Sequence, residues 1–220
     1  MMTVEVERKF MCSANTLKML EESGAVLVGK QQFRDQYFDT PQFDLTLRDM
    51  WLRKREECWE LKYPLVPVSG RKEKSGEQSE TAAVSTCYKE ITSQPEIQLK
   101  VKDVIRDTET GVTCLDDSWL SRVNLVCFAE FTTVRQSFTL EEEEVKIDLD
   151  QADFGYNVGE LEMLITEGED VHAALERIDR TARKLGLTAD QRVEGKMNVY
   201  LKRNLPEHYA KLLSVHILRA

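Results

Sequence analysis

The sequence has few histidines, few cysteines and no long apolar run, and each shortage excludes a class of site. Its 3 histidines and 5 cysteines are scattered, and no Cys-x-x-Cys pair occurs. We therefore expect neither a zinc centre nor a disulfide framework, and we interpret the cysteines as reduced thiols of a cytoplasmic protein. No run of ~20 apolar residues and no signal peptide occurs, so we expect no membrane span and no membrane partner.

Positive charge is also in short supply. The 220 residues include 30 lysines and arginines against 39 aspartates and glutamates, which gives a formal net charge of −9. Such an acidic protein is a poor match for nucleic acid, so we expect no nucleic-acid partner, and a polyanionic ligand would need a local basic pocket. Because sulfur and imidazole clusters are lacking, any metal ion would be a hard one with oxygen ligands, namely Mg²⁺ or Mn²⁺.

Apolar residues make up 41% of the chain, enough for a substantial core. At 220 residues the chain could form one large domain or two small ones. Period-2 segments and helical periods alternate, and strand-like sequence resumes after 64–86, so we expect one α+β domain over residues 1–220. One stretch, 64–86, is dominated by Pro, Gly, Ser, Lys and Glu and has no period, so we interpret it as a flexible hairpin loop inside the domain. Strands are predicted at 3–10, 26–38, 51–56, 59–63, 87–91, 128–140, 145–150 and 158–165. Helices are predicted at 13–24, 93–105, from 116 or 117, at 171–185, and in two pieces from 196 onward, split near Pro206.

The predicted strands share a pattern in which one face is apolar and the other carries charges of the same sign two residues apart. In the first strand the polar row comprises Thr3, Glu5, Glu7 and Lys9, and the apolar row comprises Val4, Val6 and Phe10, with Arg8 as the exception. Acidic pairs recur at Asp148/Asp150 and Glu160/Glu162, and the basic residues are the pair Arg53/Arg55 with Lys62, Lys89 and Arg135.

Electrostatics limits where such rows can lie. Like charges two residues apart on a strand are ~7 Å apart. They repel by roughly 0.6 kcal/mol in water but by ~2.4 kcal/mol at an effective dielectric constant of about 20. A half-solvated antiparallel sheet tolerates this repulsion, whereas a closed antiparallel barrel with a charged lumen needs counter-ions. The pattern alone does not choose between these two architectures, but acids and bases in one lumen would suit a metal–polyphosphate complex.

An ordered set of short segments resembles the CYTH superfamily, the triphosphate tunnel metalloenzymes. Glu5-Val6-Glu7-Arg8-Lys9 matches the E-x-E-x-K signature, which is weak by itself. The other matches are Tyr37-Phe38-Asp39-Thr40-Pro41, Leu52-Arg53-Lys54-Arg55, Glu60-Leu61-Lys62, Tyr88-Lys89-Glu90, Arg135, Asp148-Leu149-Asp150 and Gly159-Glu160-Leu161-Glu162. Trp51, residues 152–156 and the tail 196–215 resemble the vertebrate branch that acts on thiamine triphosphate, whereas 64–86 departs from it.

The resemblance implies a closed eight-stranded antiparallel β-barrel, the triphosphate tunnel, with helices packed outside. It implies a monomer that hydrolyses thiamine triphosphate to thiamine diphosphate and phosphate with Mg²⁺, for which Mn²⁺ is a possible substitute. The implied metal ligands are Glu5, Glu7, Asp148, Glu160 and Glu162. The implied phosphate-binding residues are Lys9, Arg53, Arg55, Lys62, Lys89, Arg135 and Lys196.

The resemblance also implies a catalytic pair and a contact for the organic group. Lys62, next to Tyr37, would be the general base, and a cation-crowded lumen would depress its pKa. Trp51 would pack against the thiamine rings. Asp150 and Lys146 are expected to be supporting or solvent-facing residues. For Trp51 and Tyr37 the alternative is simple core packing.

Three other functions stay open on the sequence. Two are enzymatic, namely a general inorganic tripolyphosphatase and an adenylate cyclase-like CYTH enzyme. The third is a polyphosphate-binding module without catalysis, against which the presence of Lys62 and Tyr37 argues.

Overall fold

The structure is a computed structural model that describes residues 3–65, 85–105, 116–140, 144–166, 168–187 and 192–218. The strands in these ranges are β1 (Thr3–Phe10), β2 (Val26–Asp39), β3 (Trp51–Arg55), β4 (Cys58–Pro64), β5 (Ser85–Ile91), β6 (Val126–Leu140), β7 (Val145–Ala152) and β8 (Tyr156–Thr166). They close into one barrel in the order β1-β5-β4-β3-β2-β6-β7-β8. Every neighbouring pair is antiparallel. The closed barrel is therefore confirmed over the half-solvated sheet.

Helices pack around this barrel. Those in the described ranges are α1 (Thr16–Glu22), α2 (Gln94–Ile105), α3 (Ser118–Arg122), α4 (Val171–Lys184), α5 (Lys196–Asn204) and α6 (Pro206–Ser214). None of them combines the length and apolar character needed to cross a bilayer. The break between α5 and α6 falls at Pro206, as predicted, because proline at the first helical position suits a helix start.

Several predicted boundaries differ from the structure by one to three residues. The first helix begins at Thr16, with Asn15 as its N-cap in place of Ser13. A short 3₁₀ turn at Thr46–Arg48, which no periodicity signals, precedes β3. The predicted loop at 64–86 is shorter at both ends, because β4 ends at Pro64 and β5 begins at Ser85. Its interior at 66–84 lies outside the described residues.

The apolar faces of the strands point outward and are buried beneath the helices. One cluster joins Val6 of β1 and Leu161 of β8 to Ile178 of α4. A second cluster joins Leu61 of β4 to Ile97 of α2. A third cluster lies on the inner side of the barrel instead, where Ala129 and Phe131 of β6 and Tyr37 of β2 pack against α5 and α6 beside the cavity. Fully burying one such side chain stabilises the fold by roughly 1.5–3 kcal/mol, so the helices and the barrel depend on each other.

Arg8, the charged exception on the outer face of β1, is part of this packing. It is 3% exposed. Its Nη1 lies 3.6 Å from Oδ1 of Asp179 in α4. The guanidinium therefore finds its counter-charge on the covering helix, which fixes α4 over the strand that carries the first acidic pair.

A buried hydrogen-bond network shapes the loop between β2 and β3. Asp39 accepts hydrogen bonds from the backbone N–H groups of Thr40 (2.8 Å), Leu45 (2.9 Å) and Thr46 (2.9 Å). The Thr46 hydroxyl also donates to Asp39, at 2.7 Å, and lies 2.8 Å from Nε2 of His208 in α6. Burial lowers the pKa of His208 to about 4, so the imidazole is neutral at physiological pH and serves packing. The network holds the chain that enters β3 firmly against α6.

Gly159 in β8 lets two strands approach closely behind the lumen. A Cβ at this position would lie 2.2 Å from Cζ of Phe10, which is buried on the outer face of β1. We predict that Gly159→Ala destabilises the protein by about 1–3 kcal/mol, because the Phe10 ring must move within a packed core. Equilibrium denaturation in urea measures this change.

Gly29→Ala is the matched control for this prediction. Gly29 also lies in a strand, and a Cβ there would have nothing within 4 Å. Its effect should stay within about 0.5 kcal/mol. Equal losses of stability at the two positions would show that the contact with Phe10 does not set the cost.

Candidate active site

The inner face of the barrel carries charges around a cavity of about 290 Å³. Strand register produces this face, because residues opposite each other in an antiparallel pair point to the same side. Glu7 lies opposite Glu162, and Lys9 lies opposite Glu160. The predicted alternation of charged and apolar rows is thus what separates the lumen from the outer core.

The predicted acidic set lies together on three adjacent strands. Glu5 and Glu7 on β1 and Glu160 and Glu162 on β8 line the cavity. Asp148 on β7 is fully buried behind them, opposite Glu160. The structure therefore brings the five carboxylates to one wall of the tunnel, here called the acidic wall.

The pKa shifts along this wall follow from burial and from neighbouring charges. Burial, and then the nearby Glu5, raise the pKa of Glu162 to about 7. Burial also raises the pKa of Glu5, although Lys62 acts to lower it. Glu7 differs, since Lys9 and Lys62 outweigh its burial and lower its pKa to about 2. A divalent cation beside Glu5 and Glu162 would favour the charged form of both carboxyl groups.

The donor chemistry of the acidic wall fits Mg²⁺, which prefers carboxylate oxygens. Across the described residues, no three Asp, Glu, His or Cys side chains yet stand together in a metal-binding cluster. The carboxylates are turned toward lysines and arginines instead. Lys146, expected to be supporting, lies 2.8 Å from Oδ2 of Asp148 and 3.8 Å from Oε2 of Glu162. A metal ion would therefore take its ligands from existing ion pairs.

Arg135 of β6 is the centre of the largest ion-pair network. Its Nε and Nη2 donate to the two oxygens of Asp150, both at 2.6 Å. Its Nη2 also donates to Oε2 of Glu160 at 3.1 Å. Its Nη1 lies 2.6 Å from Oδ2 of Asp148. Asp150 also pairs with Lys196 of α5, so its predicted supporting role agrees with this geometry.

Arg53 and Arg55 face the cavity from β3, and a buried acid that the sequence did not single out holds them. Asp35 of β2 accepts hydrogen bonds from Nε and Nη2 of Arg55 at 2.7 and 2.8 Å. It also lies 3.7 Å from Nη1 of Arg53, which pairs with Glu60 of β4. A signal was available, because Asp35 is two residues before Tyr37 and shares its face.

The surroundings of Lys62 contradict the expected crowding by cations. Its Nζ donates to Oε2 of Glu5 at 2.5 Å and lies 3.9 Å from Glu90 and 4.0 Å from Glu60. Burial alone would lower the pKa of Lys62, but the Glu5 and Glu60 carboxylates outweigh it and raise the pKa. In the ligand-free chain Lys62 is an ammonium group, and the expectation of a depressed pKa is wrong for this state.

The placement of Lys89 also needs correction. Side chains alternate along β5, and Thr86, Tyr88 and Glu90 are the residues of that strand that line the cavity. Lys89 lies opposite Val4, an outward-facing core residue of β1. It therefore belongs to the outer face, and the predicted phosphate contact is wrong.

The remaining predicted residues do line the cavity. Lys9 pairs with Glu7 and lies 4.0 Å from Glu160. Lys196 enters from the start of α5. Tyr37 and Trp51 border the same space and also pack against the core beneath α5 and α6, so they do serve packing, while their roles toward a substrate stay predictions. The described cysteines Cys12, Cys58, Cys87 and Cys127 are free, and Cys114 lies outside the described residues.

The family model of the CYTH domain matches residues 3–195. The chain belongs to the CYTH family. Two similar CYTH relatives are the thiamine-triphosphatases of Homo sapiens and Macaca fascicularis, both 38% identical to this chain. The first match covers 98% of this chain and 92% of the human protein, and the second covers 97% and 90%.

Solved structures show the same fold. The PH1819 protein from Pyrococcus horikoshii OT3 matches with a TM-score of 0.54 and 18% identity, over 91% of this chain and 99% of that one. A putative adenylate cyclase from Vibrio parahaemolyticus matches with a TM-score of 0.52 and 16% identity, over 91% and 97%. At these identities the similarity shows a shared fold and does not show a shared reaction.

The Arg135 network generates a stability prediction. Arg135→Ala should destabilise this CYTH domain by about 3–5 kcal/mol, because it leaves Asp148, Asp150 and Glu160 without their shared counter-charge. Chemical denaturation measures the loss.

Arg34→Ala supplies the comparison, since Arg34 is exposed and lies 3.8 Å from the exposed Glu130. Its effect should be within about 0.5 kcal/mol. If Arg135→Ala were equally mild, the buried carboxylates would not depend on this guanidinium, and the network described above would be wrong.

Proposed function

We propose that this chain hydrolyses thiamine triphosphate to thiamine diphosphate and phosphate, with Mg²⁺ bound in the tunnel. The observation that carries the proposal is the composition of one cavity. The acidic wall, the guanidinium and ammonium groups, and the aromatic side chain of Trp51 all line it. The carboxylates would bind a metal ion, the basic groups would bind a polyphosphate, and Trp51 would contact a flat organic group. The similarity to proteins named thiamine-triphosphatase, at 38% identity over most of the chain, supports the same substrate.

Mg²⁺ would be held by Glu5, Glu7, Asp148, Glu160 and Glu162, and it would supply positive charge to offset the charge that develops on the phosphoryl oxygens. The basic residues have a separate task. Lys9, Arg53, Arg55, Arg135 and Lys196 would bind the phosphate chain. Arginine suits this task because its planar fork can engage two oxygens at once, as Arg55 already does with Asp35.

Without a ligand, ion pairs inside the cavity compensate the charges of the basic residues. Each basic residue named above pairs with a carboxylate, so an incoming triphosphate exchanges one anionic partner for another. Three of the carboxylates released from Lys9 and Arg135, namely Glu7, Asp148 and Glu160, then become available as metal ligands. Binding of the polyanion and of the cation should therefore support each other, since either ligand alone leaves charges of one sign without partners in a partly dry space.

Lys62 and Tyr37 are proposed to handle the attacking water. As an ammonium bound to Glu5, Lys62 can donate hydrogen bonds and so position a phosphoryl oxygen or a water molecule. Its use as a general base requires that the Glu5 carboxylate first turn away from it. Burial raises the pKa of Tyr37, so the phenol is also a donor at neutral pH.

The competing functions differ at the organic end of the substrate. An inorganic tripolyphosphatase has no use for Trp51 in the cavity, and an adenylate cyclase-like enzyme must accommodate a neutral purine with its ribose. Trp51 favours a flat cationic heterocycle, because an indole attracts a cation over its face. The monomeric state, the cytoplasmic location and the expected absence of nucleic-acid and membrane partners stay predictions.

A substrate panel tests the proposal. With Mg²⁺, phosphate release should be fastest from thiamine triphosphate and slower from tripolyphosphate and ATP, and EDTA should abolish it. Glu7→Gln should lower turnover at least about tenfold, since it removes one carboxylate of the metal-binding wall. Glu22→Gln, on an exposed residue of α1 paired with Lys18, is the control and should behave as wild type.

Two results would contradict the proposed function. One is turnover that does not respond to EDTA or to Glu7→Gln. The other is a wild-type protein that cleaves tripolyphosphate or ATP in preference to thiamine triphosphate. Binding of tripolyphosphate without any hydrolysis would favour the polyphosphate-binding module.

A further inference from the structure

A buried phenylalanine lies among the charges of the lumen. Phe33 of β2 is 4% exposed, yet it belongs to none of the three apolar clusters that the described residues form. It lies two residues before Asp35 with no register shift between them, so it shares the inner face of the strand with that carboxylate. Its burial therefore has another explanation than packing within these clusters.

The ring of Phe33 contacts guanidinium groups instead. Cζ of Arg55 lies over the ring, 3.7 Å from its centroid. Cζ of Arg135 also lies over it, 5.4 Å from the same centroid. Both distances are within the ~6 Å over which a cation is attracted to an aromatic face. The two arginines come from β3 and β6, the neighbours of β2, so one side chain on the middle strand serves a cation from each side.

Phe33 lies behind these arginines as seen from the cavity. Arg55 and Arg135 line the cavity, whereas Phe33 does not. The ring can therefore act on a ligand only through the two guanidinium groups. Its burial strengthens both contacts, because a cation–π interaction is worth more where water is excluded.

Each guanidinium group is held in two different ways. Asp35 accepts hydrogen bonds from Nε and Nη2 of Arg55, and Asp150 accepts from the same two atoms of Arg135. These carboxylates bind the edges of the planar groups, whereas Phe33 lies against their faces. A contact at the edge and a contact over the face together fix the orientation of each plane.

The two kinds of partner respond differently to a polyphosphate. A phosphate oxygen binds the edge of a guanidinium group, so it competes with Asp35 or Asp150 for the same N–H groups. The ring of Phe33 has no net charge and no oxygen acceptor, so a phosphate does not replace it. Phe33 can consequently keep both planes in place while the edges exchange a carboxylate for a phosphate.

We propose that Phe33 is a positioning residue that holds the guanidinium planes of Arg55 and Arg135 toward one phosphate chain. The inference rests on the proposed function and deepens it, because it assigns a residue that keeps two phosphate-binding groups oriented while their carboxylate partners are released. Phe33 itself touches neither the phosphates nor the organic group.

Phe33→Leu tests the inference, because leucine is apolar but has no aromatic face. Calorimetry of tripolyphosphate in EDTA measures binding under conditions in which the proposed metal-dependent reaction does not run. The variant should bind tripolyphosphate about tenfold more weakly than wild type, since both arginines lose their shared support. Partial loss of folded protein lowers the binding stoichiometry and leaves the dissociation constant unchanged.

Two further variants separate positioning from packing. Phe33→Tyr keeps the aromatic face and should bind tripolyphosphate within about threefold of wild type. Phe138→Leu makes the same substitution at a buried position of β6 in the first apolar cluster, on the outer side of the barrel. It should lose stability but keep wild-type affinity. If Phe33→Leu does not fold, Phe33→Met takes its place, because the flexible methionine fills irregular spaces in a core.

Coupling between Phe33 and Arg55 gives a readout that loosened packing would not move. Arg55→Lys keeps the positive charge but removes the planar fork. If Phe33 acts through that plane, Phe33→Leu should weaken binding at most about threefold in the Arg55→Lys protein, compared with about tenfold in wild type.

Four results would overturn the inference. They are no binding of tripolyphosphate by wild type, equal affinity of wild type and Phe33→Leu, equal losses in Phe33→Leu and Phe33→Tyr, and full additivity of the changes at Phe33 and Arg55. The proposed function fails separately. A wild-type protein whose binding of tripolyphosphate depends on Phe33, but which releases no phosphate from thiamine triphosphate with Mg²⁺, would refute that function and support the positioning role.

Discussion

The structure depends on mutual neutralisation of charges inside a closed barrel. Rows of like charge on single strands repel each other at close range, and the barrel compensates by placing rows of opposite sign on adjacent or facing strands. Arg135 against Asp150 and Lys62 against Glu5 are two examples of such pairing. Without a ligand, the lumen is thus a set of ion pairs rather than a set of free charges.

This network of buried ion pairs contributes little net free energy to the stability of the fold. Buried ion pairs often contribute no more than well-packed apolar residues would, because the desolvation of both partners offsets their attraction. Removing a single partner is nevertheless costly. A barrel that carries many such pairs is therefore better explained by what enters it than by what it does for folding. The apolar clusters between the barrel and the α-helices of the described ranges supply the stability that the lumen does not.

The sequence predicted much of this arrangement, and strand periodicity explains why. Alternation in Thr3–Phe10 assigned Glu5 and Glu7 to one face, and the observed register places both in the lumen. It did not by itself choose between a sheet and a barrel, since closure depends on pairs such as β1 with β8 that are distant in the chain. The resemblance supplied that step, and the family match and the closed strand order confirmed it.

The errors have equally physical causes. Lys89 belongs to a matched motif, yet its side chain is on the outer face of β5. The motif match misplaced it because the alternation of side chains along the strand was not considered. Lys62 was expected among cations because the basic residues of several strands were expected to crowd the lumen. Its actual neighbours, Glu5 and Glu90, come from β1 and β5, and only the closed barrel brings them within reach. Asp35 escaped notice because only paired acids were considered, although it shares a strand face with Tyr37.

The central claim is that the tunnel accepts a polyanion and a divalent cation as a neutralising pair. Isothermal titration calorimetry of tripolyphosphate into wild-type protein, with and without Mg²⁺, tests this claim most directly, with Mg²⁺ titrated in the presence and absence of tripolyphosphate as the reciprocal measurement. The account predicts that each ligand tightens binding of the other by the same factor, at least about fivefold. Equal affinities with and without the second ligand, after correction for binding between the ligands in solution, would contradict it.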